Sequence, residues 1–265
     1  MKHLRSSLAD LRGMFERSIT IRDVAEPLVS FDAEHAADDV GSLMERRDFD
    51  VVGVREQGVI VGYVQRGDLK GGIVRDHQLK FQSGDVCADA ESLISVFESL
   101  RRRDAIFVTM LGQIGGIVTR GDLQKAPVRM WIFGLISLIE MQMERIIRQN
   151  HEDDSWKSLL TESRLTAARK IFDERKRHNE EIDLTSCLQL ADKGTVLSND
   201  ETFLRILRYE SKSGLLSFFG RLEKLRNRLA HSQDIIRGAW PELADLLIEA
   251  ESVLGCLEKA GVADQ

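Results

Sequence analysis

Near the end of a long helical pattern stands Leu225-Arg226-Asn227-Arg228-Leu229-Ala230-His231, where the side-chain types and spacing could do chemistry. An imidazole, with an unperturbed pKa of about 6.5, can give or take a proton at neutral pH, and a guanidinium stabilises negative charge on phosphate. Arg226 and His231 therefore have the groups for proton transfer and anion stabilisation, with the Asn227 amide one turn before the imidazole to orient it.

These groups must be positioned by a helix. Leu215, Leu222, Leu225 and Leu229, with Phe218 and Phe219, keep helical spacing and predict a continuous helix over 211–231 that buries that stripe. His231 falls about 200° round the helix from Leu229 and so points away from the stripe. Ser217 and Gly220 lie near the same face and would let a second helix approach. Arg226 and His231 are about 140° apart on one helix, so a single copy does not converge them on one phosphate, whereas two copies across a two-fold axis could. A structural role for His231 stays open beside the catalytic one, because the helix is expected to end at 232–234, where a His can bond the last carbonyls.

An Arg, a polar residue, a short spacer and a His, late in an all-α region, resemble the HEPN signature, over about the C-terminal half of the chain. HEPN domains are dimeric helical bundles, many of them metal-independent ribonucleases or toxins and others inactive binding modules. The resemblance implies that Arg226 and His231 are catalytic and Asn227 supportive. In the reaction so implied, the ribose 2′-OH of RNA attacks the adjacent phosphate, His231 moves the proton, and Arg226 stabilises the extra charge.

The first half contains an internal repeat. Val61–Leu69 aligns without a gap with Gly115–Leu123, Asp50-Val51-Val52 falls on Asp104-Ala105-Ile106, and Gly58 on Gly112. Each copy reads helix, strand, turn, strand, then a helix opened by Asp. Ala36, Val40, Leu43 and Met44 form the first helical stripe, and Leu93, Val96, Phe97 and Leu100 the second. The stretch 70–80, with Gly71-Gly72, is expected to be a linker.

This repeat resembles a pair of CBS repeats (a Bateman module), over about residues 18–125. In that family two repeats pack pseudo-symmetrically around a cleft that often binds an adenine nucleotide, and a Thr or Ser with an Asp three residues later holds the ribose. The resemblance assigns Thr119 and Asp122 to the sugar and ATP, ADP or AMP as regulatory ligand, and the Arg120 guanidinium beside them could pair with the phosphates. A carboxylate can accept both ribose hydroxyls, and a hydroxyl three residues earlier can reach the same sugar. The first repeat keeps Asp68 but has Gln65 where the Thr is expected. Capping is the alternative for both: Asp68 and Asp122 are also ordinary helix N-cap residues, a role favoured for Asp68.

Composition bounds the remaining possibilities. With 265 residues, 43% of them hydrophobic and 30% charged, the chain is expected to fold as two domains with real cores. The expected architecture is α+β followed by all-α: an N-terminal helix over 1–17, a CBS pair over 18–126 with repeats at about 18–70 and 79–125, and a helical bundle over 127–265. Predicted helices in the bundle run over 131–148, 163–180, 201–209, 211–231 and 241–259, with turns at Gly194 and 198–200. A net charge of −6 opposes unspecific, high-affinity nucleic-acid binding. Arg169-Lys170 and 175–178 are the cationic concentration, read either as a solvated helix face or as an RNA-phosphate contact.

Cys87, Cys187 and Cys256 are far apart and odd in number, which indicates neither a disulfide framework nor a zinc site and fits a cytoplasmic protein. The apolar run 130–139 is too short to span a bilayer, and no membrane association is expected. No motif for metal hydrolysis, NTP hydrolysis or a serine nucleophile is present, and no metal or required cofactor is expected. Two functions follow. One is a homodimeric, adenine-nucleotide-regulated endoribonuclease; the other is a non-enzymatic nucleotide sensor whose helical half binds RNA, an antitoxin or another protein.

Overall fold

The structure, a computed structural model, describes residues 8–151, 153–236 and 240–262. They divide into two compact units, Glu16–Val128 and Met1–Phe15 with Arg129–Gln265. The chain begins with α1 (Leu8–Ser18). Leu4, on the apolar stripe expected for this helix, lies outside the described residues.

In the Glu16–Val128 unit, β1 (Glu26–Pro27) and β2 (Ser30–Asp32) lead to α2 (Ala37–Arg47) and to the hairpin β3 (Val51–Glu56) and β4 (Val59–Gln65). The second copy follows with β5 (Val86–Ala88), α3 (Leu93–Leu100), β6 (Ala105–Met110) and β7 (Gln113–Thr119). In each copy a short strand runs parallel to the first hairpin strand, β2 with β3 and β5 with β6. The helix between them supplies the crossover that parallel strands require.

Both hairpins turn on two residues with positive φ, Gln57 (48°) and Gly58 (83°) in the first, Leu111 (53°) and Gly112 (80°) in the second. Such turns match the twist of the flanking strands. The register slips at the same place in each, between Val54 and Arg55 and between Val108 and Thr109. Apolar side chains from strand and helix close one core per copy: Val40, Met44, Val52, Val54 and Val64 are buried in the first, and Leu93, Phe97, Ile106, Val108 and Val118 in the second.

The copies exchange edge coverage. Upstream of the first repeat, β1 pairs antiparallel with β7, at Glu26 with Ile117 and Pro27 with Gly116. Upstream of the second, Leu79 exchanges backbone hydrogen bonds of 2.8 and 3.0 Å with Tyr63 on β4. Each leading segment thus shields an edge that would otherwise present unpaired amides. The expected linker over 70–80 is more ordered than its glycines suggest: it forms a 3-10 turn, Val74–His77, and Val74 enters the first core. The helix expected after each repeat's Asp is also a 3-10 turn, Arg66–Asp68 and Arg120–Gln124.

The second unit is helical: α4 (Ala126–Asn150), α5 (Glu162–Arg177), α6 (Leu190–Ser198), α7 (Glu201–Ile206), α8 (Lys212–Ala230) and α9 (Trp240–Val262). Ile132, Ile136, Ile139, Met143 and Ile147 form the buried stripe of α4, and Leu215, Phe218, Phe219, Leu222, Leu225 and Leu229 that of α8. Gly194 was expected at a turn but lies within α6. A Cβ there would stand 2.6 Å from Phe219 Cδ2, so glycine is required by the close approach of α6 to α8 rather than by a bend. Arg12 of α1 pairs with Glu251 and, at 2.5 Å, with Glu258 of α9. Among the described residues no helix is long and apolar enough to cross a membrane, and the three cysteines are free.

Candidate functional site: a cleft between the repeats and a charged helical face

Strand β7 delivers Thr119 to the N-cap of the Arg120–Gln124 turn, and there Asp122 turns its carboxylate back. Asp122 Oδ2 accepts from Thr119 N at 2.7 Å and from Thr119 Oγ1 at 2.9 Å. Its other oxygen lies 3.0 Å from Lys125 Nζ. Burial opposes the Lys125 charge, but hydrogen bonds to Glu26 and Asp122 outweigh it and hold the ammonium pKa above its ordinary value. The capping reading thus needs a correction: Thr119 is the N-cap, and Asp122 closes the box from the third position of the turn.

Thr119, Arg120, Gly121 and Asp122 line a cavity of about 610 Å³ between the repeats, whose opposite side includes Asp48, Phe49, Asp50 and Val51. Pro27, Leu28, Val29 and Ile117 add apolar wall. Arg120 donates to Asp104 at 3.2 Å and to the Arg103 carbonyl at 3.3 Å. Asp68 does not belong to this group. It is exposed, outside the cavity, and follows the exposed Gln65, which makes no side-chain cap. Three of the four residues expected to hold a nucleotide are therefore brought together. Sequence reasoning missed Glu26, Asp48, Asp50 and Asp104, because their place in the cavity follows from the packing of one repeat on the other.

In the helical unit, α8 places Arg226 and His231 on different sides, as the helical angle requires. Arg226 is partly buried and donates to Glu140 Oε2 on α4 at 3.4 Å, with Glu223 at 3.9 Å. Glu140 also accepts from Lys193 at 3.2 Å, and Lys193, buried in α6, reaches Glu144 at the same distance. Glu144 pairs onward with Arg148, whose Nε is 2.7 Å from Asp183. Lys193 carried a sequence signal: it stands three residues after Leu190 and four before Leu197, inside the buried stripe of α6. A lysine there needs acidic partners.

Asn227 and His231 are exposed. Their contact is a backbone hydrogen bond, His231 N to Asn227 O at 3.1 Å, and among the described residues no group hydrogen-bonds the imidazole. His231 is the C-cap of α8 through its backbone N–H, and the side chain that bonds the carbonyls at this end is Arg129, which donates to Leu229 at 3.1 Å and Gln233 at 2.9 Å. A Cβ on Gly220 would meet nothing within 4 Å, so that face of α8 is open in one chain.

The cationic stretch of α5 borders a second cavity, of about 620 Å³, with Arg148, His151, Lys157, Arg169 and Lys176 in its lining. Much of its charge is matched: Arg169 pairs with Glu162 at 2.7 Å, Arg148 with Asp183, and Lys157 with Asp154. Arg175 pairs with Glu180 at 2.7 Å.

No protein-family model matches the chain, and no curated protein matches it. Among solved structures it is similar to CBSX2 in complex with AMP, at 22% identity over 42% of this chain and 98% of that one, with a TM-score of 0.38. It is similar to the CBS domain of the bacterial CNNM/CorC family Mg2+ transporter in complex with ATP, at 20% identity over 46% and 94% of the two chains, with a TM-score of 0.36. A third is the CBS domain of a CBS domain containing membrane protein from Sphaerobacter thermophilus, at 20% identity over 45% and 96%, with a TM-score of 0.35.

Proposed function

We propose that Glu16–Val128 is a CBS-type regulatory module that binds an adenine nucleotide at its second repeat. The observation that carries this reading is the cavity of about 610 Å³ in which Thr119, Arg120 and Asp122 share a wall. The Thr119 hydroxyl and Asp122 carboxylate, 2.9 Å apart, form a matched donor and acceptor pair for a vicinal diol. The apolar wall at Leu28, Phe49 and Ile117 suits a base. A ligand that binds the folded unit stabilises it by mass action, by about 2.7 kcal/mol when present at 100 times its Kd, and so raises its melting temperature. Thermal unfolding with AMP should show that rise in the wild type and lose it in Asp122→Asn; an unchanged melting temperature across AMP, ADP and ATP would refute the reading.

A second reading concerns the helical unit, which would act as a homodimeric, metal-independent endoribonuclease. It is favoured by the side chains at the end of α8: Arg226 is held by Glu140, while His231 caps the helix through its backbone and leaves its imidazole exposed. Two copies related by a two-fold axis would bring Arg226 of one toward His231 of the other, since one helix does not. Incubation of wild type, Arg226→Ala and His231→Ala with a mixed RNA pool in EDTA tests it. Cleavage confined to wild type supports catalysis; no cleavage by any preparation leaves the helical unit as a binding module for RNA or a protein.

A further inference from the structure

The charge of the cleft bears on which ligand it takes. Its lining contains five carboxylates, Glu26, Asp48, Asp50, Asp104 and Asp122, and one guanidinium, Arg120. Two further cations stand behind the lining, and both are already engaged. Arg66 donates to Asp48 at 3.2 Å and to Asp50 at 2.5 Å. Lys125 bonds Glu26 and Asp122. Arg120 is itself tied to Asp104. With these three cations counted, two carboxylates remain in excess, and each cation that a phosphate would need is shared with an aspartate or glutamate.

A terminal monophosphate carries about two negative charges at neutral pH, and each added phosphoryl group brings more. Like charges in a concave site repel more strongly than on a flat surface, because the low-dielectric walls focus the field. We infer that the cleft selects by phosphate number, accepting an adenine nucleoside or nucleoside monophosphate and turning away the free triphosphate. This rests on the nucleotide reading of the cleft and adds the class of ligand. The side chains of Asp48, Asp50 and Asp104 are 94, 82 and 97% exposed, so their repulsion is screened by salt. Selectivity should therefore be greatest at low ionic strength.

The test is calorimetric titration of the full chain with adenosine, AMP, ADP and ATP in EDTA, at low and at raised salt, and repeated with the double variant Asp48→Asn and Asp50→Asn. Asn is suited to position 48, where φ is 55°. The variant also releases Arg66 from its two carboxylates. At low salt AMP should bind at least tenfold more tightly than ATP. That ratio should fall with added salt and at least threefold in the double variant, with thermal unfolding checking that the variant is folded. ATP binding as tightly as AMP in EDTA would overturn the inference while leaving the nucleotide reading standing, as would a ratio that neither salt nor the double variant moves. Failure of all four ligands to bind would remove the nucleotide reading and the inference with it.

Discussion

In the hairpin of β3 and β4, Val51 lies opposite Gln65, and the chain continues into the turn Arg66–Asp68; in that of β6 and β7, Ala105 lies opposite Thr119, and the chain continues into Arg120–Gln124. Backbone register, turn type and bulge coincide, yet Asp68 is exposed while Asp122 is largely buried and bonded to Thr119 and Lys125. A repeated fold needs only the apolar alternation and the turn residues to be repeated. A binding site needs a matched pair, and the first copy has Gln65 where the second has the Thr119 hydroxyl that donates to Asp122. The aligned positions Gly53 and Phe107 show the same principle in the core. Phe107 packs at 4.7 Å, centroid to centroid, on both Tyr63 and Phe81, whereas a Cβ at Gly53 would already stand 3.1 Å from Ile60 and 3.2 Å from Leu28.

Three experiments break or sharpen this comparison. The largest effect is expected at Phe107, which is 3% exposed and central to the aromatic cluster joining the repeats. Phe107→Ala should cost about 3–5 kcal/mol in urea unfolding, well beyond Gly53→Ala, whose added methyl meets only side chains. Equal costs would show that the aromatic cluster does not hold the copies together.

Next come the aligned glycines 62 and 116. A Cβ at Gly62 would lie 2.5 Å from the Leu79 carbonyl oxygen, which is backbone and cannot move alone, whereas at Gly116 the nearest atom is Val108 Cβ at 3.1 Å. Gly62→Ala should therefore lose about 1–3 kcal/mol by the same measurement, and Gly116→Ala less. The opposite order would contradict the edge pairing of Tyr63 with Leu79.

The smallest effect on stability separates the two aspartates. Asp122→Asn keeps an acceptor for the Thr119 amide but loses the charge facing Lys125, at a cost of about 1 kcal/mol or less in thermal unfolding. Asp68→Asn should stay within about 0.5 kcal/mol of wild type.

Much of the Glu16–Val128 unit was legible, because the gapless alignment of Val61–Leu69 with Gly115–Leu123 fixes hairpin, turn and register together. The Thr119 and Asp122 pair was legible for the same reason, being local in sequence. The acidic wall was not, since Asp48 and Asp50 line the same cavity as Arg120 only through packing of one repeat on the other. In the helical unit the stripe of α8 announced itself by spacing, and Gly194 misled because a glycine at a turn and one at a close helix contact look alike. The ion chain of Arg226, Glu140 and Lys193 joins three helices and has no sequence periodicity, although a lysine in an apolar stripe marks its centre.

The claim that binding belongs to the second repeat alone is tested most directly by stoichiometry. Calorimetric titration of AMP into wild type, Asp68→Asn and Asp122→Asn should give one site per chain in the first two and at least a tenfold loss of affinity in the third. Two sites per chain, or binding that survives Asp122→Asn and disappears in Asp68→Asn, would contradict the account.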